Sequence, residues 1–458
     1  MNLDFLLTLT FFEASILLSL FFYCSFILYE SYSKKDWLVF FNPVNFFALL
    51  TLFYCVIGPI ISSANSDGSM FYRAVDHREY YQIGLFAALI SVFTFKLGFE
   101  FKNNFRIRDY GINKLNNYKK DKRDYLFLFK WSERILLFAL GCQFIVFGIG
   151  YINKIIFFRE SSNFGDFTLY QGDFQEYLTF TLNFLIFAIP LMFLSLLKGV
   201  KEKTKFIFYI SISVSLFINF AFRWRLFLLF LPILLIYFFH KKTKPNIIFL
   251  FSFVLSTFLF FGFIQISRTY GRGINIDTYQ KNTKEIKESK LNNVLRASFF
   301  DSNVFNTSAA MIHKTPSEND FVGLTPFLNA LLLPIPRTVW PDKPTAGKYV
   351  TELYKKIYPG KFWEVGAACL GFAEYFISGG WIALVILNFL LGYLYKRLWI
   401  WFFYNFYDPI AQISYALYFS FLFIIYSRGY FLQIAFLYLT VFTPLILLSY
   451  LWNKRFIS

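Results

Sequence analysis

Long apolar runs separated by short charged or turn-rich patches set the pattern of this chain. A helix needs about 20 mainly apolar residues to cross ~30 Å of hydrocarbon. The pattern predicts about eleven such helices, at about 5–29, 37–62, 80–98, 133–152, 178–197, 206–221, 226–239, 247–266, 378–395, 408–426 and 430–452. Two of them, 206–221 and 226–239, are short for a full crossing. They read as tilted helices or as a half-buried pair around Arg223-Trp224-Arg225. The predicted class is an all-α polytopic integral membrane protein.

The interruptions are unequal. Most are brief, but about a hundred residues separate Ser267 from Gly366. Three parts follow: an N-terminal transmembrane bundle of about eight helices over 1–266, a large loop with short helices over 267–366, and C-terminal transmembrane helices over 367–458. Inside the loop, 283–300 shows helical spacing at Leu291, Val294, Leu295 and Phe299 and suits a helix on the membrane surface. The stretch 324–336 is apolar, too short to span and closed by prolines, which fits a re-entrant or interfacial half-helix. A further short helix is predicted over 347–358. Irregular backbone at membrane depth survives only when buried in protein or lining a wet cavity. The loop is therefore expected to fold back onto the bundle.

Charge gives these helices a direction. Lys34/Lys35, the block from Lys102 to Lys130, Lys198 to Lys205, Lys241 to Lys244, Lys396/Arg397 and Lys454/Arg455 all fall on one side of the predicted spans. Basic loops stay cytoplasmic, so the C-terminus is expected inside and the N-terminus and large loop outside. The formal charge of +17 and pI of 9.4 thus read as a topology signal, and no nucleic-acid partner is expected. Composition agrees: 57% of residues are hydrophobic, 16% are charged, and mean hydropathy is +0.49. The first apolar run is too long for a cleaved signal and follows Asp4 rather than a basic region. Cys24, Cys55, Cys142 and Cys369 are scattered without metal-type spacing, so they read as small core residues of helices.

Candidate chemistry concentrates on the outer side. Arg223, Arg225, Arg268, Arg272, Arg296, Arg337 and Arg428 sit where the positive-inside bias disfavours them. Arginine offers a planar fork that grips phosphate or carboxylate at two points. An anionic ligand explains the set; interfacial anchoring and ion pairs with Asp301, Glu364 or Glu374 explain any single member. Glu374 and Asp301 are the carboxylates placed to orient or deprotonate a hydroxyl, and Trp340 could stack on a sugar. His313, like His77 and His240, reads first as structural. No DxD, HExxH, GxSxG or Walker A pattern occurs, so no metal or other cofactor is expected. Ionisable residues inside the spans are sparse, Glu13 and Lys96 among them, which disfavours an ion-coupled pump.

The most unusual segment is PIPRTVWPDKP, residues 334–344, with four prolines that bar helix and stiffen the backbone. It is followed by GAACLGFAEYFISGGWIAL from Gly366. Together these resemble the bacterial O-antigen (oligosaccharide repeat-unit) polymerases, on Pro336, Arg337, Trp340, Pro341, Lys343 and Pro344, then Gly371, Glu374, Tyr375, Gly379 and Gly380. AFRWRLFLL is similar to that family's arginine-bearing turn, with Phe and Trp in place of its small residues. The resemblance covers the second half of the chain; the first half matches only as a hydrophobic pattern.

The resemblance implies metal-independent glycosyl transfer at the periplasmic face of a bacterial inner membrane. A glycan on undecaprenyl diphosphate would pass to a second lipid-linked repeat unit, releasing undecaprenyl diphosphate. It implies catalytic roles for Glu374, Asp301 and Arg337. Diphosphate binding would fall to Arg223, Arg225, Arg268, Arg272, Arg337, Lys343 and Arg428, and sugar binding to Trp340, Glu364 and Tyr375. Implied partners are the two lipid-linked oligosaccharides, the lipid bilayer and a chain-length regulator protein. Rival readings are an O-antigen ligase acting on lipid A-core, a lipid-linked oligosaccharide flippase and a non-catalytic assembly partner.

Overall fold

In a computed structural model, the structure describes residues 3–102, 121–148, 178–219, 223–250, 252, 256, 298–332, 335, 339–340, 348–358 and 368–457. The apolar runs become helices because a helix satisfies every backbone polar group within one segment, the requirement that hydrocarbon imposes. The long helices are α1 (Phe11–Ser33), α2 (Pro43–Ser62, with a π-type turn at Leu52–Ile57), α3 (Tyr81–Glu100), α4 (Lys122–Phe147), α5 (Phe184–Leu197), α6 (Lys203–Asn219) and α7 (Arg223–Lys241). Three short helices follow in the loop: α8 (Val304–His313), α9 (Thr325–Leu332) and α10 (Lys348–Ile357). The chain closes with α11 (Gly371–Tyr404), α12 (Pro409–Ser427) and α13 (Phe431–Ile457). Among the described residues, eight helices are long and apolar enough to cross a membrane. Large apolar side chains such as Phe22, Ile145, Ile382 and Ile446 lie exposed on their outer faces, as lipid contact requires. This is an all-α, membrane-embedded protein.

Ten of the eleven predicted spans coincide with helices; most of 247–266 lies outside the described residues. The helix at 226–239 is longer than its apolar run, because the arginines at its start and His240 and Lys241 at its end continue the same turn geometry. α4 likewise begins inside the basic block, where Asp121 and Asp124 form a reciprocal capping box. α1 starts later than expected. Thr10 caps it, and Glu13 both accepts from the Thr10 backbone and forms a two-point ion pair with Arg78.

The span expected at 378–395 is part of a 34-residue helix broken once. Gly380 adopts φ +67, a left-handed conformation that an L side chain disfavours, and it divides α11 into a short arm carrying Glu374 and a long arm. The break frees the Ile377 carbonyl, which accepts from the Val322 N–H at 2.9 Å. Against this long arm lies α3. Gly98 and Gly392 let the two backbones touch: a Cβ at Gly98 would stand 2.0 Å from the Phe389 carbonyl oxygen, and one at Gly392 2.0 Å from that of Phe95. Small residues at such contacts are what drives helix association in lipid. The Ser91 hydroxyl bonds to Asn388 at 3.0 Å between them.

Polarity of the bundle is read from ring contacts. Phe227 meets Phe423 at 4.2 Å and Phe239 meets Tyr415 at 6.2 Å, so α7 and α12 run antiparallel. The Lys241 end of α7 therefore shares a level with Asp408. Lys244 donates to the Tyr32 carbonyl and Lys396 to that of Phe101, which gathers the segments after α1, α3, α7 and α11 at one end. Among the described residues, Lys34, Lys244 and Lys396 lie at this end. Arg225, Ser427 and the start of α11 lie at the opposite end.

The described part of 267–366 contains a buried element that the hydrophobic pattern had not marked. α8 is buried from Val304 to Ile312 and wedges against α3, where Gly84 accommodates Phe305 and Ala309. Its polar side chains find partners inside the bundle: Asn306 donates to Ser63 and the Thr307 hydroxyl pairs with that of Tyr358. The predicted helix at 283–300 lies almost wholly outside the described residues.

The α3–α11 seam is testable. Gly98→Val should destabilise the detergent-solubilised protein by ~2 kcal/mol or more, read as a lowered Tm. Gly141→Ala on α4, where an added Cβ meets nothing within 4 Å, should be neutral or stabilise by ~0.5–1 kcal/mol.

Candidate functional site

The end of the bundle opposite Lys241 is assembled by backbone contacts that leave no room for side chains. The turn Ser427-Arg428-Gly429 after α12 presses on Cys369-Leu370-Gly371 before α11. Gly429 N–H donates to the Cys369 carbonyl and the Cys369 thiol donates back to that of Gly429, each at 2.6 Å. A Cβ on Gly371 would stand 2.3 Å from the Ile425 carbonyl oxygen. The Leu370 N–H donates to Ser308 of α8 at 2.7 Å. Cys369 is thus a buried core thiol as expected, but in the extended turn ahead of α11 rather than in a helix.

One turn further along, Glu374 is only 3% exposed. Both carboxylate oxygens accept from the Phe431 N–H at 2.9 Å, at the start of α13, and one accepts from the Tyr349 hydroxyl of α10 at 2.7 Å. A negative side chain at a helix N-terminus satisfies the free amides and opposes the helix dipole. Burial, with the Glu374 carboxylate beside it, holds the Tyr349 phenol far above its usual range. Glu374 therefore ties α10, α11 and α13 together and is oriented by two donors.

The accessible charged pair lies beside it. Arg428 stands 3.8 Å from Asp301, and both side chains are about a quarter exposed at 26% and 21%. Asp301 sits in a 3-10 turn, Phe300–Asn303, packed on the C-terminal end of α2. Next to the pair, strands β1 (Phe71–Tyr72) and β2 (Val75–Asp76) form a two-residue hairpin. Its corner residues Arg73 and Ala74 have φ +50 and +62, the geometry of a type I′ turn without its usual Asn or Gly. The Arg73 guanidinium lies 5.3–5.8 Å from the ring centres of Tyr72, Tyr354 and Tyr358, a cation–π arrangement that offsets such backbone strain. The Tyr72 phenol is pushed up to about 12, chiefly by burial, with Asp301 and Arg428 both in its field. His77 is enclosed by Tyr72, Tyr80 and Tyr358. Burial lowers it to about 4 against weaker support from the Tyr72 and Asn306 backbones, so it is a neutral structural side chain near pH 7.

The structure thus brings Glu374, Asp301 and Arg428 to one end, with Arg225 at the same level. Arg225 is 8% exposed and stacks 5.0 Å from the Trp224 ring centre. Tyr375 packs against the hydrophobic core, Trp340 is 38% exposed, and His313 stacks on Tyr80 with ring centres 4.9 Å apart. Arg337, Lys343, Arg268, Arg272, Arg296, Glu364 and the side chain of Arg223 lie outside the described residues. Sequence reasoning missed Tyr349 and Arg73. Tyr349 had a signal: it starts a helix whose Val350, Leu353, Tyr354 and Ile357 form one buried face. Arg73 had none, because only the fold sets three tyrosines around it.

Two outcomes follow. Tyr349→Phe should cost ~1–3 kcal/mol and Glu374→Ala more, since the latter also orphans the Phe431 N–H; equal Tm values for both variants and the parent contradict the arrangement. Unfolding returns His77 from about 4 to an ordinary value near 6.5. The unfolded chain therefore binds a proton first as pH falls. Stability from this group is complete above 6.5 and declines toward 4, by ~3 kcal/mol in all. His77→Phe should flatten that acid loss in a Tm profile against pH; an unchanged profile excludes His77 as its source.

No family model, no curated protein and no solved structure matches this chain.

Proposed function

We propose that the protein polymerises lipid-linked oligosaccharide repeat units at the outer face of a bacterial inner membrane, without a metal. The observation that carries this reading is the part-exposed Arg428–Asp301 pair, its arginine on the turn that leads to the Glu374–Phe431 tether, at the end of an apolar bundle opposite Lys244. A lipid-linked donor places its diphosphate at that level while its polyprenyl chain stays in the bilayer. The resemblance of 334–344 and 366–384 to the repeat-unit polymerases gives the reaction.

In that reaction a hydroxyl oxygen of the acceptor's terminal sugar bonds to the anomeric carbon of the donor. The bond between that carbon and the diphosphate oxygen breaks, and its electron pair leaves with undecaprenyl diphosphate. Arg428, with Arg225 behind it, offsets the charge that develops on the leaving group. Asp301 is the carboxylate that accepts the hydroxyl proton. Glu374, buried and engaged by Tyr349 and Phe431, is a positioning residue that holds the Arg428 turn. The resemblance adds Arg337 and Lys343 as further diphosphate-binding cations. Holding two membrane-bound substrates in line supplies much of the rate.

Deletion of the gene should collapse the surface-glycan ladder to core plus one repeat. Complementation with Arg428→Ala should leave it collapsed, while Arg428→Lys restores part of it. Loss of all O-antigen points to the ligase or flippase readings, and an unchanged ladder removes the enzyme readings altogether.

A further inference from the structure

At the other end of the bundle, away from Arg428, α4, α5 and α13 enclose a lateral groove of about 320 Å³. Its walls are apolar, with Trp131, Phe138, Phe184, Pro444 and Leu447 among them. Thr443 also lines it, but its hydroxyl is spent on the Leu439 carbonyl at 2.6 Å. Pro444, inside α13, supplies no backbone N–H. The groove therefore offers a chain of methylenes surface to contact and almost nothing to hydrogen-bond.

One cation stands on its rim. Arg134 is exposed and lies 5.2 Å from the Trp131 ring centre. The first turns of α4 carry Lys122, Arg123, Asp124, Lys130 and Glu133, and from Ile135 onward the helix is apolar apart from the buried Gln143. Arg134 and Trp131 thus mark the level at which this helix enters the hydrocarbon, where Trp and Arg anchor. The neighbouring carboxylate does not neutralise the arginine: Glu133 is taken by the Tyr209 hydroxyl at 2.9 Å and by Lys205 at 3.4 Å. Lys130 and Lys454, both exposed, lie on the same end of the lining helices. An apolar slot about 10 Å tall from Trp131 to Phe138, at 1.5 Å per residue, is therefore topped by a guanidinium with no ion-pair partner among the described residues.

We infer that this groove binds one glycerophospholipid with a net negative head group, its phosphate on Arg134 and one acyl chain between α4 and α13. Charge selects the occupant: a zwitterionic lipid would bring its own cation to a basic rim, whereas an anionic head group meets Arg134 there, with the adjacent Glu133 already bonded to Tyr209 and Lys205. The site is independent of the proposed glycosyl transfer, which lies at the other end of the bundle.

The test uses the full chain, purified in mild detergent and incubated with 1-palmitoyl-2-oleoyl phosphatidylglycerol or the matching phosphatidylcholine. Lipid retention is read by native mass spectrometry and Tm by thermal shift. Phosphatidylglycerol should be retained and raise Tm by several degrees more than phosphatidylcholine. Arg134→Gln should lower phosphatidylglycerol retention about five-fold and leave phosphatidylcholine unchanged; Arg134→Lys should keep most of the preference. Leu447→Trp, which fills the slot, should reduce retention of both lipids. Equal retention of the two lipids by the parent, or an undiminished preference in Arg134→Gln, overturns the proposal. Arg134 is exposed, so its variants test binding without threatening the fold.

Discussion

The arrangement at the Arg428 end of the bundle depends on one buried carboxylate. Glu374 receives the first amide of α13 and the Tyr349 hydroxyl, and so joins three chain segments that arrive from different directions. An unpaired charge at that depth would cost several kcal/mol, so the carboxylate and its two donors stand or fall together. Its position is set in turn by the backbone contact between Gly371 and Ile425 and by the exchange of hydrogen bonds between Cys369 and Gly429. Arg428 lies on the turn that these contacts clamp. The break at Gly380 lets the short arm of α11 take this angle while the long arm follows α3 across the bundle.

This division of labour separates structure from chemistry among the acidic residues. Glu374 is enclosed and engaged by two donors, whereas Asp301 and Arg428, 3.8 Å apart, both keep part of their surface in solvent. The aromatic hairpin beside them, with Arg73 held over three tyrosines, makes a rigid wall from the first outer loop. Segments far apart in sequence, near 72, 301, 354 and 428, therefore share one neighbourhood. A surface built that way presents charge in fixed positions, the condition for electrostatic stabilisation of a leaving diphosphate.

The helices were legible because lipid demands long apolar runs. The limits have equally physical causes. Apolar windows report hydrocarbon thickness rather than helix length, so α4 and α11 extend past their predicted spans into charged or aromatic turns that remain helical. α8 escaped notice because Asn306, Thr307, Ser308, Ala309 and Ala310 carry little hydrophobic signal; their small size is what admits the helix to the bundle. Glu374, Asp301 and Arg428 were recognisable as residues, but their roles depend on partners such as Tyr349 and the Phe431 amide, which no local spacing reveals. The proline-rich segment at 334–344 remains the strongest sign of family resemblance, with Val339 and Trp340 exposed on it.

The central claim is that this end of the bundle joins lipid-linked repeats. The most direct measurement is reconstitution of the purified chain in lipid nanodiscs with undecaprenyl-diphosphate-linked repeat units, in chelator and without added metal. Lipid-linked products should lengthen by whole repeats, with one undecaprenyl diphosphate released per bond formed, and Arg428→Ala should abolish both signals. Repeat units that remain single while the parent protein stays folded, or lengthening that survives loss of Arg428, would contradict the account.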